Sequence, residues 1–96
     1  MAVTQEQINT AVELAQKYGA SKLLIFGSAL TNPEDAYDLD LGVAGIAGMK
    51  FFEYAGKLEY MTNLQVDIVD ISLENQFVNH IKKVGKMLYD STRNIN

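Results

Sequence analysis

The spacing of apolar residues changes repeatedly along the chain, and each change predicts an element. Ile8, Ala11, Val12, Ala15 and Tyr18 recur at helical intervals behind Thr4, and Thr4 with Gln7 three positions on forms a capping-box pattern. This predicts an amphipathic helix over 4–18, with Gly19 placed to end it in a left-handed cap. Leu23 to Phe26 is a continuous apolar run, too short for a helix, and reads as a buried strand. The stretch from Ala29 to Tyr37 is a surface loop turning at Asn32-Pro33, with room for one helical turn just after Ser28. A second strand is predicted over 38–44, followed by a flexible break at Gly45-Ile46-Ala47-Gly48. Helical spacing returns over 49–62, with Phe51, Ala55, Leu58 and Met61 on one side. Residues 65–71 read as a third strand. A helix capped by Ser72 or Asn75 then carries Phe77, Val78, Ile81 and Val84 and ends at Gly85. Lys86-Met87-Leu88-Tyr89 is a short final strand, and the polar tail 91–96 is expected to fray.

The order α-β-β-α-β-α-β predicts an α/β (α+β) fold, a small mixed sheet with its helices largely on one face and the other face open for a site. Composition narrows the picture only modestly. At 96 residues, 48% hydrophobic and 21% charged, the chain is expected to form one domain over 1–96. Burial at this size leaves little spare stability, so a partner would help, as a homo-oligomer or a hetero-complex. The formal net charge is -4 and Arg93 is the only arginine. Direct binding of nucleic acid through a basic stripe is therefore not expected, whereas one metal-bound nucleotide is compatible with that charge. Cysteine is absent, which excludes disulfides and thiol catalysis and favours a cytoplasmic location. The segment Met1-Ala2-Val3-Thr4-Gln5-Glu6 lacks the pattern of a signal peptide, and no apolar run is long enough to span a bilayer.

The chemistry concentrates where two strands meet the first long loop. Gly27-Ser28 follows the first apolar run, and Asp38-Leu39-Asp40-Leu41 opens the second. Alternate residues of a strand share a face, so Asp38 and Asp40 present their carboxylates side by side while Leu39, Leu41 and Val43 point the other way. Adjacent carboxylates repel, and a bound divalent cation resolves the repulsion. Asp67, flanked by Val66 and Ile68, faces the same way as this pair, and three such acids suit one or two Mg²⁺ ions. Asp70, three positions further on, faces the opposite side. Gly27 lets the backbone approach an anion, and Ser28 adds a hydroxyl beside successive N–H groups. A phosphate cradle facing a carboxylate cluster is the equipment of phosphoryl or nucleotidyl transfer.

Ile25-Phe26-Gly27-Ser28, nine intervening residues, Asp38-Leu39-Asp40-Leu41 and then Val66-Asp67-Ile68-Val69 resembles the minimal nucleotidyltransferases of the DNA polymerase β superfamily. The resemblance covers nearly the whole chain and is similar in form to the MNT antitoxins encoded beside HEPN-domain ribonuclease toxins. It implies a nucleotidyltransferase palm-like fold, two Mg²⁺ ions, ATP as donor and a tyrosine hydroxyl of a HEPN-domain partner as acceptor. It also implies that Gly27 and Ser28 hold the triphosphate, that Asp38 and Asp40 ligate both metals, and that Asp67 completes the catalytic metal site. Two positions depart from the family pattern. No Lys or Arg lies between Lys22 and Lys50, where a basic residue often follows the Gly-Ser, and Tyr37 stands where Ser commonly precedes the paired acids.

Simpler readings account for most other polar and aromatic residues. His80, the single histidine, lies among Lys82 and Lys83 and reads as a surface or packing residue. Phe51, Phe52, Tyr54 and Tyr60 read mainly as core, with any surplus available to a partner. Two functions from different classes follow: an enzyme that adenylylates a partner protein, and a non-catalytic antitoxin of the same fold that neutralises its partner by binding.

Overall fold

The computed structural model describes residues 2–93. Helix α1 spans Gln5–Lys17. The Gln7 N–H donates to Thr4 Oγ1 at 3.2 Å and the Thr4 N–H donates to Gln7 Oε1 at 2.8 Å, so the capping box forms as expected. At the other end Gly19 takes φ +86°. Its N–H donates to Gln16 O and the Ala20 N–H to Ala15 O, closing a Schellman motif.

The chain continues as β1 (Lys22–Phe26), a single helical turn α2 (Ser28–Thr31), a 3-10 turn at Pro33–Asp35, and β2 (Asp38–Ala44). Then come α3 (Met49–Thr62), β3 (Gln65–Asp70), α4 (Gln76–Val84), β4 (Lys86–Asp90) and a last 3-10 turn at Ser91–Arg93. Of the tail expected to fray, Ser91–Arg93 takes the 3-10 turn and the rest lies outside the described residues. Asn75, not Ser72, caps α4, its Oδ1 accepting from the Val78 N–H at 2.8 Å. Ser72 is engaged elsewhere, donating from N and Oγ to Asp70 Oδ1.

The four strands form one mixed sheet in the order β3-β2-β1-β4. β1 runs antiparallel to both of its neighbours, and β2 and β3 are parallel, joined by the α3 crossover. Leu23, Ile25, Leu39, Leu41, Val43 and Val66 face one side, where α1 and α3 pack. Tyr54 of α3 is fully buried there and its hydroxyl donates to Ala11 O at 2.9 Å, tying the two helices together. Burial pushes that phenol well above its ordinary pKa, so it stays a donor. The stripe of α3 is rotated from the expected one: Tyr54 and Leu58 lie at its centre, and Met61 is exposed.

The helices divide between the two faces. A second cluster joins Leu24, Ala44 and Ile71 to Val78 and Ile81 of α4, with Phe26 and Val69 against it. The face expected to be open therefore carries α4, and Asp38, Asp40, Gln65 and Asp67 share that face with solvent access. α4 packs there through its own apolar stripe, Val78 and Ile81 against Leu24, Ala44 and Ile71. Among the described residues no helix is long and apolar enough to cross a membrane.

Candidate functional site

Gly27 joins β1 to α2 at φ +75°, ψ -158°, a conformation essentially reserved for glycine. Its carbonyl accepts from the Leu30 and Thr31 N–H groups, each at 3.1 Å, and starts the short helix. A Cβ at this position would run into Asp40 Oδ2. The missing side chain is what lets the Asp40 carboxyl lie against the backbone at the strand end.

Pairing across the sheet places the acids. Asp40 is opposite Phe26 on β1 and beside Asp67 on β3, so Phe26, Asp40 and Asp67 form one row over three strands. Asp38 lies two residues along β2 on the same face, paired with Gln65. The orientation expected for Asp38, Asp40 and Asp67 is thus the one observed. Burial holds the Asp40 carboxyl above the ordinary aspartate range, and the charges of Asp67 and Asp38 add to this. Ser28, exposed beside Gly27, begins α2.

Among the described residues no group of three or more His, Cys, Asp or Glu side chains converges into a metal cage. Asp40 and Asp67 are cross-strand neighbours, and Asp67 and Asp38 both stand near enough to act on Asp40 through their charge. This suits Mg²⁺, which is commonly bound by one or two carboxylates with water and substrate phosphates completing its shell. Hard oxygen donors and surplus negative charge fit that ion.

Other polar candidates lie elsewhere. Asp70 is on the opposite face, its carboxylate closing a turn with Ser72. His80 and Tyr37 are exposed. One neighbour of the site was not visible as such in the sequence. Phe77 packs edge-to-face on Phe26, with ring centroids 6.5 Å apart and planes at 86°. Its helical spacing marked it only as part of an apolar stripe, yet it is 57% exposed.

An antiparallel β1–β2 pair carrying Gly-Ser and paired acids, extended by a parallel strand with a third acid, defines the class of fold: a small nucleotidyltransferase palm. No protein-family model and no curated protein sequence matches the chain. Solved structures do match it, and they are minimal-nucleotidyltransferase-like. A toxin–antitoxin structure with AMP-PNP aligns at TM-score 0.73 and 21% identity, over 85% of this chain and 72% of that one. A structure of tri-AMPylated Shewanella oneidensis HEPN toxin in complex with MNT antitoxin aligns at TM-score 0.72 and 20% identity, over 93% and 74%. A candidate minimal nucleotidyltransferase aligns at 0.69 and 24% identity, over 85% and 89%. These likenesses show the fold.

Proposed function

We propose that this protein is a Mg²⁺-dependent nucleotidyltransferase that moves AMP from ATP to a tyrosine hydroxyl of a HEPN-domain partner, and so acts as an antitoxin. The observation that carries the reading is the row in which Asp40 lies against Gly27 and stands beside Asp67 across the parallel β2–β3 pair. It joins a backbone suited to phosphate to a carboxylate pair suited to a hard cation. Solved structures of the same fold include one with AMP-PNP and one with an AMPylated HEPN toxin, which supports this substrate and this partner.

In this reading Gly27 and Ser28 cradle the outer phosphates, and Asp38, Asp40 and Asp67 hold the metal ions. Bound Mg²⁺ offsets charge on the attacking and leaving oxygens. The acceptor oxygen forms a bond to the α-phosphorus, the bond to the β-phosphate oxygen breaks, and pyrophosphate leaves. In this reading Asp67, exposed at the end of the row, takes the hydroxyl proton. Incubating the protein with its partner, Mg²⁺ and labelled ATP is expected to label the partner, and Asp38→Asn or Asp40→Asn to abolish labelling. A partner that binds but is never labelled overturns the proposal.

The absence of any Lys or Arg between Lys22 and Lys50 favours a second reading, a non-catalytic antitoxin. It requires that both Asp→Asn variants still neutralise the partner.

A further inference from the structure

We infer that Phe77, backed by Phe26, is the stacking platform for the base of the bound nucleotide, an inference that rests on the nucleotide-binding reading above. The sheet row runs Phe26, Asp40, Asp67, and cross-strand neighbours in such a row have Cβ atoms ~5 Å apart. Phe26 is therefore both the residue before Gly27 and the side chain next to Asp40. The ring of Phe77 sits a further 6.5 Å out, on the first turn of α4.

Its exposure is what needs explaining. Val78 and Ile81 on the same helix are each 1% exposed, whereas Phe77 keeps 57% of its surface in water while already fixed against Phe26. An edge-to-face contact occupies at most one face of either ring, so aromatic surface of Phe77 stays free, on a ring held against the strand neighbour of Asp40. Carboxylates recognise the metal-bound phosphates of a nucleotide but offer nothing to its heterocycle. The aromatic pair is the complementary surface: apolar, planar, held rigid by its partner, and next to the residues that anchor the phosphates. Stacking of a base on an aromatic side chain is sequence-tolerant, and its loss weakens binding about tenfold or more.

The chain has no tryptophan, which gives the test a direct optical readout. Full-length wild type, Phe77→Leu and Phe77→Trp are titrated with Mg-ATP and, separately, with Mg-tripolyphosphate, which has the phosphates but no base. Phe77→Leu is expected to lose about tenfold in ATP affinity and to keep its affinity for tripolyphosphate. Phe77→Trp is expected to bind ATP as wild type does, with its fluorescence quenched by ATP and not by tripolyphosphate. If Phe77→Leu binds ATP like wild type, or the tryptophan does not respond to ATP, the inference is overturned while nucleotide binding stands. An effect on partner binding alone would overturn it equally. Failure of the wild type to bind either ligand overturns the nucleotide reading, and this inference with it.

Discussion

Asp40 works against the stability of the fold it belongs to. Its carboxyl is pushed towards the protonated form by burial and by the charges of Asp67 and Asp38. A carboxyl whose pKa is higher in the folded state binds its proton more tightly there. The resulting stability is fully present below the unfolded value and is lost as pH rises through the folded one. The ligand-free protein is therefore expected to lose stability as pH climbs from the ordinary aspartate range towards neutrality, and Asp40→Asn to flatten that slope. At neutral pH the same variant is expected to melt a few degrees higher than wild type without ligand, yet to bind no Mg-nucleotide. Thermal melts across pH, with and without Mg-ATP, check both parts; a lower melting temperature for Asp40→Asn would contradict the repulsion argument. The shared face of Asp38, Asp40 and Asp67 was legible in the sequence because side-chain alternation in a strand is a rigid rule. That Asp40 pairs with Asp67 was not, because parallel register depends on how α3 returns the chain. The place of Phe77 beside the site was hidden for a similar reason. Which flank of an apolar stripe stays exposed depends on how α4 crosses the sheet.

At the level of elements, local rules and tertiary packing differ in how far they could be read. Both ends of α1 could be placed from sequence, because Thr4, Gln7 and Gly19 act through contacts a few residues away. Thr4→Ala is expected to cost about 1 kcal/mol in urea denaturation and to leave nucleotide affinity unchanged, since the cap touches no candidate site residue. The side of the sheet that α4 covers was not legible, because both faces of β1 are apolar: Leu23 and Ile25 on one, Leu24 and Phe26 on the other. The β1–α2 junction ties an element boundary to the chemistry. Gly27→Ala is expected to cost about 1–3 kcal/mol from backbone strain. It should also displace the Asp40 carboxyl and remove Mg-nucleotide binding, checked by denaturation and calorimetric titration on the same samples. A stable Gly27→Ala protein with full affinity would show that close approach of Asp40 to this backbone is dispensable.

For the whole molecule, anything that binds only the folded state adds to a stability that is small at 96 residues. Mg-ATP at a hundredfold excess over its Kd is expected to add about 2.7 kcal/mol, read as a higher melting temperature that Asp38→Asn eliminates. The sheet order has a consequence for how the protein opens. β1 and β2 are the two inner strands, each bonded on both sides, and they carry Gly27, Asp38 and Asp40 or lead into them. α4 rests on the sheet through a small cluster of its own. Amide hydrogens of Leu23–Ile25 and Leu39–Val43 should thus exchange at the rate of global unfolding, while those of α4 exchange through a cheaper local opening. On the proposed reading, the phosphate half of the site and Phe26 belong to the most persistent unit of the protein, and Phe77 to one that detaches first. Nucleotide should slow exchange mainly in α4, making that helix a latch that closes on its ligand from an otherwise fixed floor.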